Sequence, residues 1–314
     1  MAEPRLNITL LGEFGLVYQG KTGPIFSGDR PISLLAYLLL HRHTAVSRQH
    51  LAFTLWPDST ESQARANLRN LFYTLRQTLP EADAYLTADS MTLQWRPDAD
   101  YFLDVAEFET ALAAAKTAVT DADKRHWLET AVSYYTGDLL PGNYEDWIIP
   151  RREELRQAYQ DALYQLVRLL EKAGDYRTAV RISQRLLQLD PLDEAAYVQL
   201  MQLHALNGDR AGVRRTYEQC AVVLRRELDL EPGPTVQAAY EQMLRQETPV
   251  AALPEPAIPA VKRDKPSFSL PTPATPFIGR EAELAHLAGL LADPTCRLLT
   301  IVGPGGIGKT RLAL

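Results

Sequence analysis

Apolar positions change their spacing several times along the chain, and each change marks an element. Leu6, Ile8 and Leu10 alternate with other residues, as do Phe14, Leu16 and Tyr18, and Gly12, Gly20 and Gly23 break the runs. Period two bounded by glycines predicts short strands. From Pro31 to about His41 the run turns helical. A second helix is predicted from Ser47, a good N-cap, to Trp56, where Pro57 stops it. A third starts near Ser59 or Thr60 and continues through Leu79 to Pro80. Leu86, then Met91, Leu93 and Trp95, flank Ala88-Asp89-Ser90 as a hairpin. Strands, three helices and a closing hairpin predict a winged helix over residues 1–98.

Residues 99–247 have a helical period nearly throughout. Turns are marked at Gly137, Pro141-Gly142, Gly174, Pro191, Gly208 and Pro232-Gly233-Pro234. Gly174-Asp175 and Gly208-Asp209 lie 34 residues apart, each between two amphipathic helices, with Ala179 and Val213 at matching positions. That is the tetratricopeptide period, in which helix pairs stack to bury one another. Residues 248–276 hold eight prolines and read as an extended linker. In 277–314 a helical segment runs to Leu291 and an apolar strand covers Arg297–Val302. The expected fold is mainly α with a small β component: a winged helix-turn-helix, a TPR-like helical repeat domain, and the start of a P-loop α/β domain.

The third helix carries the chemistry. Ala64, Leu68, Leu71, Phe72, Leu75 and Leu79 fall on one stripe that faces the core. The opposite face holds Ala66, Arg69, Asn70, Tyr73 and Gln77, flanked by Arg65 and Arg76. Arginine suits guanine edges, Asn and Gln suit adenine, and flanking arginines suit phosphate. No acid occurs between Ser62 and Pro80. Ser47 and Arg48 open the second helix, whose free N–H groups favour an anion, and Thr92 and Arg96 lie on the hairpin. The net charge of −6 argues against nucleic acid until its distribution is considered: residues 1–97 hold nine Lys or Arg against eight Asp or Glu. The acidity belongs to the later part. Cys220 and Cys296 have no metal-like spacing, no Ser or Cys has a recognisable base, and no apolar run is long enough to span a bilayer. The chain is therefore expected to be cytoplasmic, without a metal, and not an enzyme.

Val46-Ser47-Arg48, Leu55-Trp56-Pro57 and Ala64-Arg65-Ala66-Asn67-Leu68-Arg69, leading to Leu75-Arg76, resemble the OmpR-type winged helix of the SARP family of bacterial activators. Residues 101–246 are similar to that family's bacterial transcriptional activator domain. The similarity is carried by Tyr135-Thr136-Gly137-Asp138-Leu139-Leu140-Pro141-Gly142, Arg152-Glu153-Glu154-Leu155-Arg156 and Glu227-Leu228-Asp229-Leu230-Glu231-Pro232-Gly233-Pro234. The resemblance implies binding to repeats in double-stranded promoter DNA as paired protomers, recruitment of RNA polymerase holoenzyme, and close packing of the two domains. Tyr101-Phe102-Leu103 is apolar enough to belong to such an interface.

Gly303-Pro304-Gly305-Gly306-Ile307-Gly308-Lys309-Thr310 fits the phosphate-loop pattern after an apolar strand. Glycine N–H groups of Gly303, Gly305, Gly306 and Gly308 would face phosphates, Lys309 would reach the β and γ phosphates, and Thr310 would hold Mg²⁺. With Phe277-Ile278-Gly279-Arg280-Glu281 before it, the segment resembles the opening of a STAND-type NTPase domain. A longer form is then expected to take ATP and Mg²⁺, while these 314 residues require no cofactor. The alternative reading is a signalling NTPase whose helical repeats serve as a protein scaffold.

Overall fold

The computed structural model describes residues 6–23, 26, 28–245 and 281–292. Tertiary contacts divide the chain after Glu247. Beyond that point the described part is one helix, Glu281–Ala292. The proline-rich linker, the strand expected at Arg297–Val302 and the phosphate loop Gly303–Thr310 lie outside the described residues.

The chain opens with β1 (Leu6–Thr9), β2 (Gly15–Tyr18) and β3 (Lys21–Thr22). Helix α1 (Asp29–Leu40) follows; Pro31 sits in its first turn, where a missing N–H costs nothing. Pro31 and every residue from Ser33 to Leu39 are buried, so α1 is covered on all sides rather than along one stripe. A two-residue strand β4 (Val46–Ser47) leads into α2 (Arg48–Leu55), where the Ser47 hydroxyl accepts from the His50 amide as the predicted cap. Helix α3 (Glu61–Thr78) buries Ala64, Leu68, Phe72 and Leu75, the stripe expected of it. A one-turn helix α4 (Ala82–Tyr85) precedes the hairpin β5 (Leu86–Ala88) and β6 (Thr92–Trp95). The wing sheet runs β4-β6-β5, which places Ser47 beside Thr92.

A fourth strand, β7 (Tyr101–Leu103), pairs in parallel with β1, Leu6 facing Tyr101, to complete a sheet of order β3-β2-β1-β7. The apolar triplet between the two predicted domains is thus part of the N-terminal sheet. Seven helices follow: α5 (Asp104–Thr117), α6 (Asp121–Tyr134), α7 (Ile149–Lys172), α8 (Tyr176–Leu189), α9 (Glu194–Leu206), α10 (Arg210–Leu228) and α11 (Pro234–Arg245). Successive helices pack in order from α5 to α10, with α11 against α9 and α10. The 34-residue repeat has a physical basis. Gly174 and Gly208, at φ of 74° and 73°, end α7 and α9 in the left-handed conformation that glycine tolerates. In each case the next amide bonds back to a carbonyl five residues earlier, Asp175 to Leu170 and Asp209 to His204. The same aspartates then cap α8 and α10 by accepting from Thr178 and Gly212 amides.

The N-terminal sheet and the helical domain share one interface. The Asp104 carboxylate, 3% exposed, accepts from the amides of Leu10 at 2.8 Å, Leu11 at 2.8 Å and Val105 at 2.8 Å. Burial pushes its carboxyl above the usual value, against the opposing pull of those amides. The loop after α6 adds Gly12 N–H to the Asp138 carbonyl and Leu140 N–H to the Leu10 carbonyl, both 2.9 Å, and the Thr136 hydroxyl donates to the Leu11 carbonyl. Gly12 and Gly137 meet there: a Cβ on Gly137 would lie 3.1 Å from the Gly12 Cα. Arg152 holds the loop by donating to the carbonyls of Leu139, Leu140 and Asn143. Asn143 donates to Ser33 at 2.7 Å, Trp147 packs edge-on to Tyr37 at 5.0 Å, and Glu109 bridges Arg42 and Arg151. Replacing Asp104 with Ala leaves three buried amides without acceptors, at about 1–3 kcal/mol each. Urea unfolding of Asp104→Ala is expected to show at least about 3 kcal/mol of lost stability in one transition, with Asp104→Asn between it and the native chain.

Candidate nucleic-acid interface

Helix α3 presents its polar face to solvent because its apolar face is fixed on α1 and α2. Arg65, Ala66, Arg69, Asn70, Tyr73, Arg76 and Gln77 are all exposed, Tyr73 by 66%. The structure divides them into two groups. Arg65 and Arg69 line a groove of about 280 Å³ with Ser47, Arg48 and Gln49 from α2 and with Ser90 and Met91 from the wing tip. Tyr73, Arg76 and Gln77 line a second concavity with Glu81, Ala82, Asp83 and Ala84. Asn70 lies on the exposed face between the two.

Electrostatics differ between the groups. Arg69 has no ion-pair or hydrogen-bond partner among the described residues, leaving its fork available. Arg65 pairs with Glu61 one turn back, and Glu61 also accepts from Gln49 at 3.4 Å. Arg76 is paired with Asp83 from α4 and lies 6.0 Å from the Phe72 ring. The acid-free stretch from Ser62 to Pro80 is therefore bracketed in space by Glu61, Glu81 and Asp83. Glu81 and Asp83 come from the chain that returns to the C-terminal end of the helix, beyond the reach of its own periodicity.

The wing residues are used locally. The Asp89 carboxylate accepts from the Met91 amide at 2.7 Å, the Thr92 amide at 2.6 Å and the Thr92 hydroxyl at 2.9 Å, closing the tip as an Asx turn. The Met91 and Thr92 amides hold this carboxyl below its usual value. Thr92 thus spends its hydroxyl inside the hairpin. Arg96 is exposed at the opposite end of β6, where its amide donates to the Tyr85 carbonyl. Gln49, which lines the groove, and Glu61, which accepts from it, go unannounced by the sequence, and Asp89, Ser90 and Met91 are read there only as part of the hairpin. Asp89-Ser90 between two apolar runs was the available signal.

Among the described residues no group of three His, Cys, Asp or Glu could hold a metal, and no helix is long and apolar enough to cross a membrane.

A winged helix with an exposed polar face on α3, locked onto stacked helix pairs, is the architecture of a DNA-binding transcriptional regulator. Residues 103–244 match the bacterial transcriptional activator domain. The transcriptional regulatory protein MoaR1 of Mycobacterium tuberculosis is 25% identical over 258 residues, covering 77% of this chain and 80% of MoaR1. The regulatory protein AfsR of Streptomyces coelicolor is 26% identical over 293 residues, covering 90% of this chain but 29% of AfsR. The solved structure of Mycobacterium tuberculosis EmbR in complex with a low affinity phosphopeptide has the same fold, with a TM-score of 0.59 at 23% identity over 78% of this chain and 66% of that one. Over residues 103–244 and across its match to MoaR1, the chain is similar to bacterial transcriptional regulators.

The Arg76–Asp83 pair is solvent-exposed, so Asp83→Asn should change the unfolding midpoint little, within about 0.5 kcal/mol. It releases a cation beside the recognition face. Binding to nonspecific duplex DNA is expected to tighten severalfold and its salt slope to steepen, as read by fluorescence anisotropy against salt.

Proposed function

We propose that this chain activates transcription by binding repeats in promoter DNA as paired protomers and recruiting RNA polymerase holoenzyme, with the N-terminal half of α3 reading bases. The observation that carries the reading is the groove in which unpaired Arg69 stands beside Arg65, the start of α2 and the wing tip. In helix-turn-helix proteins the N-terminal residues of the second helix meet base edges, and here that half carries the unpaired Arg69, with Arg65 held by Glu61. Arg69 is the candidate for a bidentate guanine contact and Asn70 for adenine. Tyr73 and Gln77 would lie further along the same face, and Arg65 and Arg76 would flank it toward phosphate. The start of α2, beside Ser47, suits a phosphate through its helix dipole, although the Arg48 and His50 amides are taken by Met91 and Ser47. Promoter repeats, protomer pairing and polymerase recruitment are what the resemblance to SARP activators implies. A longer form, extending past Gly303–Thr310, is proposed to take ATP and Mg²⁺ through Lys309 and Thr310.

Salt titration of binding to DNA upstream of the gene, against a shuffled competitor, tests the reading. Selective binding with a negative salt slope is expected. Arg69→Ala and Tyr73→Ala should each weaken selective binding, on the scale of about 1–3 kcal/mol for a base contact, without moving the thermal midpoint. Full affinity in the Arg69→Ala, Tyr73→Ala double variant would remove α3 from the interface.

A further inference from the structure

Arg48 was expected to contact phosphate, yet its backbone amide and its Nε are already engaged. Its side chain is half-buried, whereas Arg65 and Arg69 are exposed. Its amide donates to the Met91 carbonyl at 2.9 Å, and its Nε donates to the Asp89 carbonyl at 2.9 Å, so both backbone and side chain grip the wing tip. Its guanidinium lies 5.5 Å from the centre of the Phe72 ring. Phe72 belongs to the buried face of α3, one turn beyond Arg69. A single side chain therefore joins three elements: the start of α2, the turn of the wing, and the middle of the recognition helix.

Arginine suits this task better than lysine. The guanidinium is planar, stacks over an aromatic ring and still directs an Nε–H sideways in its plane. An ammonium offers a point charge with no such plane. The Asp89 carboxylate is consumed in holding the turn closed, which leaves the Asp89 carbonyl fixed as an acceptor for Arg48. Arg76 also lies near the Phe72 ring, 6.0 Å from its centre, and pairs with Asp83.

We propose that Arg48 is a positioning residue, which locks the wing tip to α3 through the Phe72 ring and so fixes the width of the groove that DNA enters. This role rests on the DNA-reading assignment of α3, but the lock itself can be observed without DNA. A groove held at fixed width presents its cations at one spacing, and a wing free to swing would blur the selection of one sequence over another.

Three full-length variants test it: Arg48→Ala, Arg48→Lys and Phe72→Leu. Amide hydrogen exchange is measured over residues 86–95, and binding to the upstream DNA is titrated with salt. Arg48→Ala is expected to speed exchange in the hairpin while the global melting midpoint stays near native. Selective affinity should fall on the order of tenfold with an unchanged salt slope. Arg48→Lys should not rescue either property. Phe72→Leu should reproduce both, and the double variant Arg48→Ala, Phe72→Leu should lose no more than either single one. Native-like binding by Arg48→Lys, or a salt slope reduced by about one with unchanged exchange, would overturn the proposal and return Arg48 to a phosphate contact. Failure of the native chain to select any DNA would instead overturn the reading of α3, and the exchange measurement would still decide whether Arg48 holds the wing.

Discussion

One carboxylate sits where the two halves of the folded unit become one. Strand β1 ends at Thr9, and the amides of Leu10 and Leu11 would be left inside a dry interface without the oxygens of Asp104. The same group accepts from Val105 in the first turn of α5, so one side chain completes both a strand and a helix. Burying an ionised carboxylate is costly unless it is hydrogen-bonded on several sides, and this one is. Its position two residues past Phe102 also explains β7. The chain must run alongside β1 for Asp104 to reach the end of that strand.

From that junction the orientation of the exposed face of α3 can be traced through contacts. The loop 136–143 and Trp147 hold α1 through Ser33 and Tyr37, and α1 packs directly on α3. Two of the motifs that carry the family resemblance act here. Thr136, Asp138 and Leu140 bond to the end of β1, and Arg152 satisfies three carbonyls of the same loop. The third motif works at the far end of the helical array, where the Gly233 amide donates to Glu194 at 2.7 Å. Each motif is thus a place where backbone polarity must be answered by a distant residue, which restricts its sequence more than apolar packing does.

That distinction accounts for what was legible beforehand. The helices of the winged helix could be read because period, cap and proline agree: Ser47 caps α2, Pro57 follows its end, and the apolar stripe of α3 is continuous. The Gly-Asp pairs could be read because a helix end and a helix start are both local. Strands β3, β4 and β7 were not legible. Two or three residues cannot display a period of two, and the partner of β7 lies almost a hundred residues earlier in the chain. In the site, the exposed face of α3 was legible from periodicity alone. The capture of Arg76 by Asp83, of Thr92 by Asp89 and of Arg48 by the wing was not, since each depends on a turn that brings separate segments together. Chemistry assigned by residue type alone overestimates how many polar groups are free.

The size of the shared interface decides whether the winged helix moves independently of the helices behind it. Leu10, Leu11, Leu139 and Leu140 are at most 5% exposed, and all four lie on the segments that bond across the junction. Fully burying one leucine side chain contributes roughly 1.5–3 kcal/mol, so exposing four would cost about 6–12 kcal/mol before any hydrogen bond is counted. A whole domain is stable by only about 5–15 kcal/mol. Separation at the junction is therefore comparable in cost to unfolding, and a hinge between the two is not an accessible motion. Any signal that reaches α3 must act on the unit as a body, through how it meets its neighbours, or on the parts of the winged helix outside this core. The wing is such a part: its tip is held to α3 by Arg48 and Phe72 rather than by buried strands.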